Sequence, residues 1–355
     1  MAAIAKIMMN KKNKPKFQSA WHVCANTMVA LLMALPFALE AQAGGWADSP
    51  APYHQRPEVQ AFIVEMVEKH GFAANKLREV FADVEFQSSV IKAMEPPESP
   101  GVRSWERYKS RFVNQRRINL GVKFMQEHAS ELKRARRIYG VPEEIIAAII
   151  GVETIYGQNT GNYRVIDVLT TLAFDYPRRA EYFRGELEQY LLLAREQQLE
   201  YGSVLGSYAG AIGLPQFMPT NVRQLAVDFD GDGRIDLRNS EVDAIGSVAH
   251  YLSVHGWLTD APVASHVAFD DPVPDSWIET ILPGMTREDI QHVGFNTSTP
   301  LDKSLSFAVI PLETPEKPSE FWLGFNNFYV ITRYNKSTFY AMSVLQLAEA
   351  LASQR

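Results

Sequence analysis

The feature that most constrains this chain is a helix-length apolar segment that ends in a carboxylate. Residues 140–157 contain an uninterrupted apolar run, residues 145–152, that leads directly to Glu153. Pro142 suits the first turn of a helix, and the two glutamates after it complement the positive end of the helix dipole. A helix that is apolar on every face is expected to be buried all round. The segment therefore predicts a core helix with an acid on its apolar stripe.

A carboxyl group at such a position has an unusual chemistry. Burial in an apolar site raises a carboxyl pKa, and a Glu that stays protonated near neutral pH can act as a general acid. Glycosidases are a common place to find one. The alternative is a Glu at a fraying helix end that is solvated or paired with an arginine, since acids are seldom fully buried without a partner.

Four sequence blocks in one order decide between these interpretations. They are Gly151-Val-Glu-Thr-Ile-Tyr-Gly157, Asp175-Tyr-Pro-Arg-Arg-Ala-Glu-Tyr-Phe183, Gly206-Ser-Tyr-Ala-Gly-Ala-Ile-Gly-Leu-Pro-Gln-Phe-Met-Pro219 and Ile331-Thr-Arg-Tyr-Asn-Lys-Ser-Thr-Phe-Tyr340. Together they resemble the lytic murein transglycosylase B family, and the resemblance runs from Tyr53 to the C-terminus. It implies a mainly α fold: a lysozyme-like helical catalytic domain with a calcium-loop insertion and small mixed α/β elements.

The resemblance also implies the reaction. The substrate would be peptidoglycan, cleaved at the β-1,4 bond between N-acetylmuramic acid and N-acetylglucosamine with formation of a 1,6-anhydro ring. Only one good acid candidate, Glu153, is found where glycosidases normally use two. The substrate's acetamido group would supply the second function, as in substrate-assisted glycosidases. We expect a monomer, with cell-wall synthesis or division proteins as the candidate protein partners.

The family's binding residues can be carried onto matching positions of this chain. Those expected to contact substrate are Tyr108, Arg178, Arg179, Tyr182, Ser207, Gln216, Phe217, Tyr251, Tyr334, Asn335 and Tyr340. The serine and glutamine would hydrogen-bond the reacting sugars, several aromatic rings would form groove walls, and the arginines would meet carboxylates of the peptide stem or lactyl group. At least one of the last three would orient Glu153 or the acetamido group. Each has a structural alternative, because tyrosines in a helical body are usually core and such arginines commonly pair with nearby acids, here Asp175 or Glu181.

A second motif points to a metal. Residues 228–236 read Asp-Phe-Asp-Gly-Asp-Gly-Arg-Ile-Asp, like the opening of an EF-hand calcium loop, with oxygen ligands at alternate positions and glycine for the sharp turn. The predicted ligands are Asp228, Asp230, Asp232, the backbone carbonyl of Arg234 and, as closing acid, Asp243. Asn239 stands where an EF-hand has its bidentate Glu, so Asp243 would close the loop from further along the chain. We expect structural Ca²⁺; the alternative is an Asx-rich turn without metal.

The N-terminus predicts export. Four lysines within residues 11–16 precede an apolar run at 27–39 and the sequence Ala41-Gln-Ala43, the pattern of a signal peptide over residues 1–43. The run is too short for a settled membrane span. Cys24, the only cysteine, precedes the run and is badly placed for lipid attachment, so we expect a periplasmic protein that is not lipid-anchored. A formal net charge of −6 over 355 residues argues against nucleic acid as a partner.

The remaining chain, residues 44–355, is predicted to be the lytic transglycosylase region. It has an α-rich body over 53–227 and 318–355, the EF-hand-like loop and a following helix over 228–258, and a mixed segment with short strands over 259–317. Periodicity predicts helices at 59–69, 75–81, 104–111, 118–139, 164–172, 179–200, 244–255 and 339–351, and a strand at 305–310.

Other function classes are weaker. A serine hydrolase would need a Gly-x-Ser-x-Gly elbow, and a zinc peptidase would need a motif such as His-Glu-x-x-His; both are absent from the sequence. A non-catalytic peptidoglycan-binding protein would keep the aromatic groove without needing Glu153 on a buried face. A hydrolytic muramidase is the nearest alternative, and only its products would distinguish it.

Overall fold

Helices make up most of the part of the chain that the computed structural model describes, residues 51–96, 103–298 and 300–354. The predicted signal peptide lies outside these residues. The α-helices in this part are α1 (Pro57–His70), α2 (Ala74–Ala82), α3 (Ser88–Met94), α4 (Trp105–Phe112), α5 (Gln115–Glu127), α6 (Ala129–Tyr139), α7 (Glu143–Thr154), α8 (Val165–Asp175), α9 (Ala180–Glu196), α10 (Pro219–Leu225), α11 (Glu241–Val254), α12 (Arg287–Ile290), α13 (Asn326–Tyr334) and α14 (Thr338–Ala352).

Two small antiparallel sheets complete this part of the fold. The strands are β1 (Tyr163–Arg164), β2 (Leu205–Gly206), β3 (Ala264–Phe269), β4 (Phe295–Thr297), β5 (Ala308–Leu312) and β6 (Glu320–Gly324). β1 pairs with β2, and the larger sheet has the order β4-β3-β6-β5. Val267 opposes Phe321, and Ala308 opposes Gly324. Strand β6 lies beyond the predicted mixed segment, within the stretch assigned from sequence to the helical body.

The core is built around α7. Every residue from Ile145 to Val152 is buried, as the apolar run predicts. Helices α5, α6, α11 and α14 pack against α7 and leave none of its faces to solvent over that run. A second, smaller apolar cluster lies in the sheet region and includes Val267, Phe307 and Leu323. In the described residues, no helix combines the length and hydropathy that a membrane span needs.

The helix predicted over 118–139 is two helices in the structure. His128 separates α5 from α6, with φ −114° and ψ 30°. Its ring packs on Phe124 at a centroid distance of 4.7 Å, and its backbone N–H still reaches the Phe124 carbonyl at 3.0 Å. The sequence has neither Pro nor Gly at this point, so periodicity alone gave no signal for the break. Helices α3, α10, α12 and α13 were also not predicted.

A charged cluster ties the start of the described chain to the end of α8. The guanidinium of Arg56 contacts Asp175 at 2.8 Å, and the Tyr53 hydroxyl donates to the same carboxylate at 2.6 Å. The Arg56 side chain is 9% exposed and that of Asp175 is 23% exposed. Asp175 immediately precedes the turn that carries Arg178 and Arg179, so this cluster fixes the base of that turn.

We expect Asp175→Ala to lower the free energy of unfolding by about 2–3 kcal/mol, because it leaves a buried guanidinium and a buried hydroxyl without their acceptor. Glu79→Ala is the matched control, since its pair with Lys76 is 57% and 67% exposed and should be worth less than about 0.5 kcal/mol. Urea unfolding monitored by circular dichroism measures both. Equal midpoints for the two variants would contradict the proposed importance of the cluster.

Candidate active site

Glu153 is the penultimate residue of α7 and is only partly exposed. Burial raises the pKa of its carboxyl group to about 7, and a hydrogen bond from Tyr340 opposes that rise. The Tyr340 hydroxyl donates to Oε1 of Glu153 at 2.6 Å. The structure therefore rejects the alternative from sequence, in which Glu153 would be solvated or paired with an arginine at a fraying helix end. A carboxyl with a pKa near neutrality can both give and take a proton under ordinary conditions.

Three tyrosines from different helices face this carboxyl group. Burial, and then the charge of Glu153, raise the pKa of Tyr108, Tyr334 and Tyr340 above the usual tyrosine range. Tyr334 and Tyr340 are stacked, with an interplanar angle of 13° and ring centroids 6.4 Å apart. These phenols therefore stay neutral. Tyr340 hydrogen-bonds the Glu153 carboxyl, whereas Tyr334 donates to the Pro215 carbonyl, and among the described residues no cation contributes to the pKa shift of Glu153.

The loop between β2 and α10 lies beside Glu153 because two contacts hold it there. Thr154, the neighbour of Glu153, donates from Oγ1 to the Leu214 carbonyl at 2.9 Å. The Tyr334 hydroxyl donates to the Pro215 carbonyl at 2.5 Å. The loop is thereby tied to both α7 and α13. Thr154 was not among the predicted site residues, although it stands in the block around Glu153.

Ser207 and Gln216 lie on this loop. The serine hydroxyl already acts as an acceptor, and the glutamine amide nitrogen already acts as a donor. Ser207 Oγ accepts from the backbone N–H of Ala209 at 3.3 Å and of Ala211 at 3.0 Å. Gln216 donates from Nε2 to the carbonyls of Thr160 and Gly213, and its φ of 51° lies in the left-handed region. The hydroxyl proton of the serine and Oε1 of the glutamine are the groups left for other contacts.

The predicted aromatic walls divide into exposed and buried rings. Tyr182 is 42% exposed, whereas Phe217 is 1% and Tyr251 is 5% exposed. Phe217 packs on Tyr251 and Tyr334 at centroid distances of 5.5 and 5.8 Å, and the Tyr251 hydroxyl donates to the Arg333 carbonyl. Phe217 and Tyr251 therefore support Tyr334 from behind, which differs from the groove-wall position predicted for them. Phe217, Tyr251 and Tyr334 bury their ring surfaces against one another.

Arg178 and Arg179 are exposed in the short turn Pro177–Arg179. The Arg179 guanidinium lies over the Tyr182 ring, 4.3 Å from its centroid. Asp175, the alternative partner considered from sequence, is instead bound by Arg56. Asn335 is exposed at the C-terminal end of α13. The structure thus gathers Tyr334, Tyr340 and Tyr108 around Glu153, whereas the arginine turn stands directly before α9.

The aspartate-rich loop forms a separate site. Carboxylate oxygens of Asp228, Asp230 and Asp232 all lie within 4.8 Å of one another. Asp228 accepts from the backbone N–H groups of Gly231 and Gly233 at 2.7 and 2.8 Å, which bends the loop around its own carboxylates. Three converging carboxylates are the hard oxygen donors that calcium prefers, so these residues fit the ion.

Asp243 has a different place from the other predicted ligands. It is 1% exposed in the first turn of α11, and its oxygens accept from the backbone N–H groups of Phe229 and Asp236, each at 2.8 Å. It therefore closes the loop by binding both of its sides through backbone hydrogen bonds. Arg234 is exposed, and its N–H donates to Asp232 at 2.8 Å. A cavity of about 700 Å³ beside this loop lies away from Glu153, so cavity size does not mark the acid site.

Comparison with known proteins agrees with the geometry. A family model described as Transglycosylase SLT domain matches residues 54–349. The membrane-bound lytic murein transglycosylase B of Escherichia coli strain K12 is 41% identical over 312 residues, which cover 85% of this chain and 85% of that protein.

Solved structures of similar proteins share the mainly helical fold with small sheets. Soluble lytic transglycosylase SltB1 from Pseudomonas aeruginosa is 46% identical with a TM-score of 0.79, over 84% of this chain and 99% of that one. Escherichia coli Slt35, solved in complex with calcium, is 41% identical with a TM-score of 0.78, over 85% and 94%. Pseudomonas aeruginosa SltB3, solved with NAG-anhNAM-pentapeptide, is 28% identical with a TM-score of 0.74, over 83% and 79%. The matches cover most of the chain, and the structure adds an acid at the end of a core helix that is hydrogen-bonded by a tyrosine. This protein is therefore a member of the lytic murein transglycosylase B family of peptidoglycan lytic transglycosylases.

Proposed function

We propose that the enzyme cleaves the β-1,4 bond between N-acetylmuramic acid and N-acetylglucosamine, with Glu153 as both acid and base. The observation that carries this proposal is the buried carboxyl of Glu153, hydrogen-bonded by Tyr340 and with a pKa of about 7. In its protonated form it gives a proton to the glycosidic oxygen as the bond from C1 to that oxygen breaks. The charge developing at C1 is stabilised by the substrate's acetamido oxygen.

The second half of the reaction uses the same carboxyl group in its ionised form. Glu153 takes the proton from the C6 hydroxyl of the same sugar, whose oxygen attacks C1 and displaces the acetamido oxygen. The C1–O6 bond closes the 1,6-anhydro ring, and Glu153 is again protonated. Burial raises and the Tyr340 hydrogen bond lowers the pKa of Glu153, and the sequence offers no second acid candidate of the same kind. This supports a substrate-assisted route, because a two-carboxylate mechanism would need a second acid about 5–10 Å away.

The free hydrogen-bonding groups of the loop suit an amide-bearing sugar. Ser207 would donate its hydroxyl proton to an acceptor, and Gln216 would accept through Oε1 from an N–H or O–H group of the sugar. Tyr108 and Tyr182 would offer ring surface to the glycan, and the exposed Asn335 would offer a polar group to it. Arg178 and Arg179 are exposed cations that would bind carboxylates of the peptide stem or lactyl group.

We propose that the protein is exported to the periplasm through its signal peptide and acts there without a lipid anchor, as a monomer. From the family resemblance we further expect that proteins of cell-wall synthesis or division recruit this enzyme. The position of Cys24 ahead of the apolar run supports the unanchored form, whereas the Escherichia coli relative is named as membrane-bound.

We also propose that Asp228, Asp230 and Asp232 bind Ca²⁺, assisted by the carbonyl of Arg234, and that Asp243 closes the loop. The ion would cross-link the loop and take no part in proton transfer. The convergence of three carboxylates and the calcium complex of Slt35 support this proposal.

Glu153→Gln should fold and bind glycan but lose at least about a hundredfold in turnover, because an amide cannot donate the proton. Glu144→Gln, the same substitution at the other end of α7, should keep turnover within about twofold of wild type. Wild-type turnover should fall as pH rises through about 7, since the acid form of Glu153 is then lost. Release of fragments from purified peptidoglycan measures each case. A Glu153→Gln rate above about a tenth of wild type would remove Glu153 from the acid role.

The products should end in 1,6-anhydro-N-acetylmuramic acid, because the tethered C6 hydroxyl is favoured over water by its effective molarity. Mass spectrometry after reaction in oxygen-18 water should find that end unlabelled and lighter by one water than a hydrolytic end. Mainly labelled reducing ends would assign a hydrolytic muramidase and leave Glu153 as its acid. The complex of SltB3 with an anhydro-muropeptide supports the first outcome for that relative.

Calcium should stabilise the folded protein by about 2.7 kcal/mol at a free concentration a hundred times the dissociation constant. Thermal melts with calcium and with chelator should therefore differ, and Asp228→Ala or Asp232→Ala should abolish the difference. Asp271→Ala, an exposed acid in the sheet region, is the control and should keep it. Identical wild-type melts at millimolar calcium would instead favour a metal-free Asx turn.

A further inference from the structure

The chain directly after Glu153 has an unusual backbone. Helix α7 ends at Thr154, and Ile155 and Tyr156 both have φ of 55°, followed by Gly157 with φ of 83°. Left-handed dihedrals disfavour any residue with a Cβ, and a β-branched one such as Ile155 most of all. Residues held in this region persist only where the surrounding structure determines them, and they concentrate at functional sites.

The side chain of Tyr156 explains what holds the turn. Its hydroxyl end lies between two helices at glycine positions: a Cβ added at Gly151 of α7 would lie 2.4 Å from the hydroxyl oxygen, and one added at Gly121 of α5 would lie 2.2 Å from it. The ring packs on Phe124, with centroids 5.3 Å apart. A side chain at either glycine would therefore displace the ring.

The fit depends on shape and not on a hydrogen bond. The Tyr156 hydroxyl is buried and has no hydrogen-bond partner in the described part of the chain. Neighbouring groups are tied down around it: Arg117 donates from Nε to the Gly151 carbonyl at 3.0 Å, and Gly157 donates its N–H to Thr154 Oγ1 at 3.1 Å. The end of α7 is thus fixed on both sides of Glu153.

We propose that Tyr156, seated against Gly121 and Gly151, is a positioning residue that sets the direction of Glu153. The inserted ring forces the helix to end one residue after Glu153 and holds the following turn in its left-handed form. This aims the carboxyl at the Tyr340 hydroxyl and keeps it away from solvent. Ring insertion, which the two glycines permit, is the function of the tyrosine in the Glu-Thr-Ile-Tyr-Gly block. The inference rests on the proposed role of Glu153 as acid and base.

Tyr156→Leu removes the inserted ring end and should lower kcat about tenfold or more while KM changes less than about threefold, because a small displacement of a reacting group mainly affects the chemical step. The alkaline limb of the pH–rate profile should move to lower pH, since a more solvated carboxyl has a lower pKa. The titratable groups facing Glu153 are Tyr108, Tyr334 and Tyr340, which stay neutral across that range. Tyr156→Phe keeps the ring and should restore both kcat and the profile.

A double-mutant cycle tests the insertion itself and does not depend on activity. Gly151→Ala should lower the melting temperature of the wild type, because the three atoms nearest its added methyl group all belong to the Tyr156 side chain, at 2.4–3.0 Å. In the Tyr156→Leu background the same change should be neutral or stabilising, since alanine is preferred to glycine within a helix. Gly185→Ala on α9 has open space around its added Cβ and serves as the matched control, with kcat unchanged.

The outcomes separate the two proposals. A folded Tyr156→Leu enzyme with wild-type kcat and pH profile would overturn the positioning role, as would an equal loss in Tyr156→Phe and Tyr156→Leu. Should Tyr156→Leu fail to fold, Gly151→Ala decides alone: a wild-type melting temperature and pH profile would contradict the insertion. An inactive Glu153→Gln beside an unaffected Tyr156→Leu would retain Glu153 as the acid and reject only its positioning by Tyr156.

Discussion

The site depends on one physical arrangement, a carboxyl group at the end of a helix whose apolar run is buried on every face, with a neutral hydroxyl as its hydrogen-bond partner. An arginine beside Glu153 would lower its pKa and keep it ionised. The nearby Arg117 instead donates to the Gly151 carbonyl, where it satisfies the end of the helix. Tyr340 orients the carboxyl without neutralising its charge. Burial can then hold the pKa near 7, which is the value that proton donation followed by proton acceptance requires.

The helical body could be predicted well from sequence because its signal is local. The apolar run 145–152 has no polar face, so burial on all sides was the one arrangement available to it. The break at His128 could not be predicted, because no Pro or Gly marks it and histidine has no strong helix-breaking tendency. Strand β6 was missed because it is defined by pairing with its neighbours, β5 directly before it and β3, which is distant in sequence.

The placing of Tyr334 and Tyr340 near Glu153 could be predicted, but the packing of the other predicted aromatic residues could not. Tyr334 and Tyr340 were expected near Glu153, and they lie around it, whereas Phe217 and Tyr251 turned out to be buried supports for Tyr334. Sequence blocks name residues that belong together, but whether a ring faces solvent or another ring depends on packing between α11, α13 and the 206–217 loop. The same holds for Asp243, whose oxygens accept from the loop backbone.

Close packing around the acid coincides with three of the six left-handed non-glycine residues in the described part of the chain; the other three, Gln198, Asp260 and Glu316, lie elsewhere. Left-handed non-glycine residues are found at Ile155 and Tyr156 after Glu153, and at Gln216 on the loop beside it. Tyr156 packs on Phe124 of α5, its neighbour Thr154 donates to the Leu214 carbonyl, and Gln216 donates to the carbonyls of Thr160 and Gly213. A flexible turn at either place would let the carboxyl or the loop relax toward solvent. Solvation would lower the pKa of Glu153 and remove the proton that the reaction needs, so strain in the backbone and protonation of the acid are two consequences of the same close packing.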